Sequence, residues 1–291
     1  MWFVLALVST LFAGMHAFGQ KVVVERKLDL YLINALSAMV SLAIAFMLFS
    51  FTQSWGAVPW SVYLFGAIGG LLYIAYNTGR MVALRYIDSA IFFPLYKVVS
   101  PAAIALIGIF IFLEHVSTWE VVGIVFSCLV PLLLITRHED KRQKNLKVGV
   151  ILLVITALAA AVSSAINSYV VKPDISLALP LLIITHAFVL GSGLFLFLRQ
   201  HHVKNMYREL TSHLTQSFVG IVAAMGTLQF LAFYTLLLAF SGGDLSIVYA
   251  INAHYILIPV VLSVWFYGEH WNTRKAFALV LSLAALVLLH R

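Results

Sequence analysis

Charge is nearly absent from ten stretches of this chain, and that decides which solvent it can fold in. The apolar runs fall at 2–22, 30–51, 60–86, 88–113, 117–136, 148–171, 178–199, 213–240, 244–267 and 272–289. About 20 apolar residues, wound as a helix, cross a hydrocarbon core about 30 Å thick. A sheet left open in lipid would strand unpaired backbone groups. The expected fold is therefore an all-α integral membrane protein with ten transmembrane helices. Composition agrees, since only 10% of the 291 residues are charged, against about a quarter in a soluble domain. The first run, within MWFVLALVSTLFAGMHAFGQK, lacks the basic leader of a secretory signal and reads as a retained first membrane helix.

A net charge of +7 would suit nucleic acid or anionic lipid until the charges are placed. Fourteen of the 18 Lys and Arg lie in loops after odd-numbered spans, five of them between 137 and 147. The opposite loops and the C-terminus hold only Lys172 and Arg291, while Arg80 and Lys97 lie inside spans. Basic loops mark the cytoplasmic side. The chain is thus expected in the cell inner (cytoplasmic) membrane, multi-pass, with both termini outside. Its charge is a topology signal, so membrane lipid is an expected partner and nucleic acid is not. The lone Cys128 cannot close an internal disulfide and reads as a small packing residue. No metal or cofactor site is expected.

Two short segments repeat. FLEHVST at 112–118 matches YGEHWNT at 267–273, an offset of 155. Residues 5–25 align with 152–172, placing Ser9 opposite Thr156 and Gln20 opposite Asn167. The chain divides into a first five-helix unit (1–136), a basic cytoplasmic linker (137–147) and a second five-helix unit (148–291). Five is odd, so the second unit enters the membrane from the opposite side. The architecture is two inverted five-helix repeats, which suits alternating access around a central site.

The stretch 83–134 resembles the repeat of EamA-type proteins in the drug/metabolite transporter superfamily. The resemblance rests on Asp88–Ser89 turning into helix 4, Pro101 within it, Glu114 after it and Gly123 in helix 5. The second copy (238–289) keeps Pro259 and Glu269 but has Ala278 in place of the glycine. The resemblance implies a secondary transporter, or permease, with a central cavity and no catalytic residue. It leaves the substrate open among amino acids, nucleotide sugars, organic phosphates, cations and drugs.

All eleven acids lie in loops or at helix ends, whereas His16, Arg80, Lys97, His186 and His254 lie inside spans. A charge at the bilayer centre costs about 3 kcal/mol or more, so such residues are functional-site hypotheses. Lys97 follows Asp88 by nine residues, a depth of about 13 Å and close to the midplane. Its repeat partner at offset 155 is Asn252, with His254 close by. Tyr73, Tyr76, Asn77 and Arg80 share one helix face by their spacing. His16 and Gln20 stack one turn apart, and Gln229 with Tyr234 mirrors the helix 3 stripe. The expected substrate-binding set is Lys97, Arg80, Asn77, Tyr76, Tyr73, His16, Gln20, Asn252, His254 and Gln229. The competing reading makes Lys97 a snorkelling or carbonyl-bonded lysine, Arg80 a snorkelling arginine and His16 a packed histidine. His186 reads as structural. Glu114 and Glu269 read as closing the helix 4–5 and 9–10 turns, with Ser117 and Glu120 forming a capping box. Pro101 and Pro259 are expected to kink helices 4 and 9.

A basic, acid-free interior favours a small-molecule metabolite bearing a carboxylate or other anionic group. A coupling proton would be carried by a histidine such as His16 or His254. Cation or multidrug export by the same fold, and a non-transporting receptor or scaffold, are the alternatives. An enzyme is not expected, because the chain has no H-E-x-x-H, no G-x-S-x-G and no paired aspartates in facing helices. Monomer and homodimer both suit the sequence.

Overall fold

The computed structural model describes the chain apart from residues 27, 53, 85, 88, 135–144, 201–215, 269–270 and 291. Most of the 137–147 linker, the Asp88 turn and Glu269 lie outside the described residues. Among the described residues eleven α-helices follow in order: α1 (Trp2–Glu25), α2 (Leu30–Thr52), α3 (Trp60–Ala83), α4 (Ser89–Phe110), α5 (Thr118–Leu133), α6 (Leu146–Val171), α7 (Ala178–Gln200), α8 (Gln216–Gly242), α9 (Leu245–Ala253), α10 (Leu257–Tyr267) and α11 (Thr273–Leu289). No strand occurs among the described residues. Among the described residues, seven helical segments are long and apolar enough to cross a membrane, α9 and α10 forming one of them. Helix α3 is not among them, because its tyrosines, Asn77 and Arg80 lower its hydropathy.

Among the described residues, the expected ninth helix is split in two. A 3-10 turn at His254–Ile256 separates α9 from α10, just before Pro259. Proline lacks the N–H that would bond the carbonyl four residues back, and its ring crowds that carbonyl. In α4 the same residue type is tolerated differently, since Pro94 and Pro101 both lie inside one continuous helix.

Local signals set several helix ends. Ser117 Oγ accepts from the Glu120 N–H at 3.4 Å, and Glu120 Oε2 accepts from the Ser117 N–H at 2.6 Å, closing the expected capping box. Asn145 and Asn272 cap α6 and α11 by accepting from Val148 N–H and Lys275 N–H. Helix α10 stops at Gly268, whose φ of 64° lies in the left-handed region that glycine adopts without strain.

Packing sorts the helices into two groups. In the larger, α1 packs on α8, α3 on α6 and α2 on α7, with α3–α7 and α2–α8 completing the set. In the smaller, α5 packs on α11 and on α4, while α9 packs on α4 and α5. The groups meet where α4 lies on α6 and where α1 lies on α9, the 3-10 turn and α10. Close approach needs small residues at the contacts. A Cβ on Gly226 of α8 would lie 2.7 Å from the Ser37 carbonyl of α2.

The distribution of polarity is inverted relative to a soluble protein. Leu11, Phe46, Met47, Phe195, Trp265 and Val280 are exposed, while Ser9, Ser37, Ser41, Asn167, Ser168 and Thr185 are buried. An apolar outer surface of this kind is what lipid solvates. The fold is consistent with a multi-pass membrane protein.

Candidate functional site

The candidate site forms where α4 meets the ninth-span pieces, with α3 reaching α4 through Arg80 and Phe93. Lys97 of α4 is only 8% exposed. Its ammonium sits 3.9 Å from the centre of the Tyr255 ring and 5.6 Å from that of Tyr96. Among the described residues no carboxylate comes within 4.0 Å of it. A desolvated ammonium over a tyrosine face gains a cation–π attraction of about 2 kcal/mol. That contact offsets part of the burial cost and leaves the positive charge uncancelled.

The α3 stripe lies beside this lysine. The Tyr73 and Tyr76 rings meet edge to face at 5.1 Å. Asn77 Nδ2 donates to its own helix at the Tyr73 carbonyl, 3.0 Å away. The Arg80 guanidinium lies 5.9 Å over the Phe93 ring. It is near enough to act electrostatically on His16, Tyr73, Tyr76, Tyr96 and Tyr255. Tyr249 belongs to the same cluster, acting on Tyr76 and Tyr96, and its hydroxyl lies 3.2 Å from Ser100 Oγ. Two cations and five tyrosines thus share one region.

Sequence register placed the wrong residue opposite Lys97. Counting from the Glu-His motif gives Asn252, but the structure turns Asn252 toward helix α1. Its Nδ2 donates to Ser9 Oγ at 3.1 Å, and Ser9 Oγ donates to the Ala232 carbonyl at 2.8 Å. Asn252 therefore joins α9, α1 and α8. Four residues back from Pro101 is Lys97, and four back from Pro259 is Tyr255. Tyr255 is the residue that meets Lys97. The Glu-His count fails because the second copy has three fewer residues between its proline and its Glu-His motif, 10 from Pro259 to Glu269 against 13 from Pro101 to Glu114.

His254 is buried; its Nδ1 lies 3.2 Å from the Ile251 carbonyl, and its Nε2 has no hydrogen-bond partner. Gln229 of α8 is buried and Gln20 of α1 half-buried. No described contact brings either to the Lys97 cluster. His16 Nε2 is also buried without a hydrogen-bond partner. His186 of α7, read from sequence as structural, is buried. Its Nδ1 lies 3.0 Å from the Leu182 carbonyl and its ring meets Phe233 at 5.2 Å.

Glu114 does more than close a turn. Its carboxylate accepts from the N–H groups of Leu245 and Ser246 at 2.6 and 3.1 Å, and from Ser246 Oγ at 2.7 Å. It caps the start of α9, more than a hundred residues away in the chain, where Asp244 makes no side-chain cap. Lys172 lies 3.8 Å from Glu114 and 3.0 Å from Asp244. Nothing in the local sequence announces a partner at that separation.

A cavity of about 600 Å³ opens at the ends of α3, α4 and α6, lined by Phe65, Phe112, Tyr169 and Lys172 among others. It contains none of the expected site residues. A second, of about 50 Å³, is lined by Tyr73 and Asn77 with Tyr31, Asn34, Thr78 and Ser192. It has room for one or two water molecules.

No family model and no curated protein matches the chain. Among 29 solved chains that do match, one described as the crystal structure of a protein superposes with a TM-score of 0.77 at 18% identity. The match spans 99% of this chain and 95% of the other. At that identity the likeness is one of fold, and it extends over the whole length of the chain.

Proposed function

We propose that the protein is a secondary transporter of the EamA type, moving a small metabolite that carries a carboxylate or other anionic group, such as an amino acid or organic acid. The observation that carries this reading is Lys97, buried at 8% exposure against Tyr255 with no carboxylate within ion-pair distance among the described residues. A buried cation whose charge is left uncancelled, beside Arg80, attracts a ligand that brings the missing negative charge. The ring of tyrosines offers hydroxyls and π faces for the rest of the ligand.

The inverted repeat supports alternating access. Exchanging the halves pairs α1 with α6, α2 with α7 and α3 with α8. Under that exchange the α1–α8 contact becomes α3–α6, and α3–α7 becomes α2–α8; all four are observed. A glycine contact follows the same exchange. Gly70 of α3 faces the Thr185 carbonyl and Phe188 of α7, while Gly226 of α8 faces the Ser37 carbonyl and Val40 of α2. Ser37 and Val40 stand 148 residues before Thr185 and Phe188.

The test is a thermal-shift screen of purified protein with amino acids, organic acids, sugar phosphates, nucleotides and lipophilic cations. A ligand that binds only the folded state raises the melting temperature. Stabilisation by anionic or carboxylate compounds is the expected result. Stabilisation by lipophilic cations alone would replace this reading with cation export.

A further inference from the structure

We infer that Asn167, Thr185 and Gly69 frame a binding site for a monovalent alkali-metal cation where α3, α6 and α7 meet. The site is separate from Lys97, and it does not depend on the anion reading above. Asn167 of α6 is 4% exposed, and its Oδ1 has no hydrogen-bond partner. Native structures seldom bury an amide oxygen with nothing to bind it. A methyl carbon placed on Gly69 of α3 would lie 3.7 Å from that oxygen and 3.8 Å from Thr185 Oγ1 of α7. The two oxygens therefore stop short of α3 across a space that the glycine leaves open. Thr185 Oγ1 donates to the Gly66 carbonyl at 3.4 Å, and Ser163 Oγ, one turn before Asn167, donates to the Gly69 carbonyl at 3.5 Å. Both bonds are long for a hydroxyl donor, and each hydroxyl oxygen keeps lone pairs to offer.

Comparing the two halves shows that helix packing alone does not demand this opening. The exchange that lays Gly70 on Gly226 lays Gly69 on Met225. Met225 is 2% exposed, and its Sδ fills the space over Gly19 of α1. Helix α8 thus fills with a side chain what α3 leaves open to Asn167 and Thr185. The lining selects the occupant. Neutral amide, hydroxyl and carbonyl oxygens can replace the hydration shell of an alkali cation. A divalent ion calls for carboxylates, and no group of three His, Cys, Asp or Glu among the described residues could hold one. An approach lies next to the site, since the cavity of about 600 Å³ is lined by Phe65, beside Gly66, and by Tyr169 and Val170, just after Asn167. Lys172 at that cavity is held by Asp244 and Glu114, so the three groups sum to one negative charge and do not repel a cation. The site was not expected from sequence, because neutral oxygens on three separate helices have no spacing to read.

The experiment is thermal unfolding of the full chain, purified in detergent with choline chloride, as NaCl, KCl or LiCl replaces choline at constant ionic strength. A cation that binds only the folded state raises the melting temperature along a saturable curve. The expected result is a rise of several degrees with at least one alkali cation over choline. Gly69→Ala tests the place. Its Cβ would make only ordinary van der Waals contacts, so the variant should fold and melt in choline at or above wild type, yet lose the alkali-cation shift. Asn167→Asp sets a negative charge beside the ion and should lower the half-saturating concentration severalfold. Equal melting in choline and in all three alkali salts would overturn the inference, assign the space to water and leave the anion site untouched. A shift that persists in full in Gly69→Ala, or a half-saturation unchanged in Asn167→Asp, would overturn it equally.

Discussion

Removing the Glu114 carboxylate should uncouple the α4–α5 turn from the start of α9. Three hydrogen bonds end on it, at 2.6, 2.7 and 3.1 Å, and its side chain is 2% exposed. Hydrogen bonds to a charged group contribute about 1.5–3 kcal/mol each when counted singly, and they do not add fully. Glu114→Ala also leaves the Leu245 and Ser246 N–H groups buried without an acceptor. A total loss of about 3–5 kcal/mol follows, similar to breaking one side of a buried charged contact. For a chain of this size that lowers the apparent melting temperature by about 6–20 °C. Glu114→Gln keeps one acceptor oxygen but sets an amide NH2 against a backbone donor, so it should fall between wild type and alanine. Lys172→Ala should cost under about 1 kcal/mol, because Lys172 is 39% exposed and its ion pairs are screened by water. The assay is thermal unfolding of the three variants in one detergent. A Glu114→Ala protein within about 4 °C of wild type would refute the capping argument.

Other outcomes follow from single contacts. Gly226→Ala places a Cβ 2.5 Å from Val40 Cβ and 2.7 Å from the Ser37 carbonyl, and should cost about 1–3 kcal/mol by overpacking. Gly220→Ala, with nothing within 4 Å, should be neutral or slightly stabilising in the same melting assay; equal effects at both sites would contradict the close α2–α8 contact. At Asp174, between α6 and α7, the Ser176 hydroxyl and then its backbone N–H hold the carboxyl below its ordinary range. Its contribution to stability is present above the unfolded-state value and is lost as pH falls through the lowered one. Carboxyl NMR should show Asp174 titrating low and moving up in Ser176→Ala; no movement would remove the hydroxyl as the cause.

Much of the architecture was legible because lipid allows few alternatives. Apolar length located the spans, and Ser117 with Glu120 announced the start of α5 correctly. The Lys97, Arg80, Tyr73 and Tyr76 cluster was legible too, because charge and a shared polar face stand out in an apolar chain. Asn252 was misplaced because the repeat register was counted back from the Glu-His motif, and the second copy has three fewer residues between that motif and its proline. Tyr255 escaped notice for the same reason, its ring being an ordinary residue until it lies under an ammonium. Glu114 was read from its neighbours in sequence, whereas its acceptor role is set by a helix start in the other half of the chain.

The central claim is that the buried Lys97 charge serves an anionic substrate, and substrate flux tests it most directly. Wild type, Lys97→Gln and Lys97→Arg are reconstituted in proteoliposomes at matched density, and uptake of each compound that stabilises the wild type is followed. The account predicts that flux of a carboxylate or phosphate compound falls more than tenfold in Lys97→Gln, which corresponds to about 1.4 kcal/mol or more, and returns in part in Lys97→Arg. Equal flux in a folded Lys97→Gln protein would contradict the account and leave Lys97 as a packing partner of Tyr255.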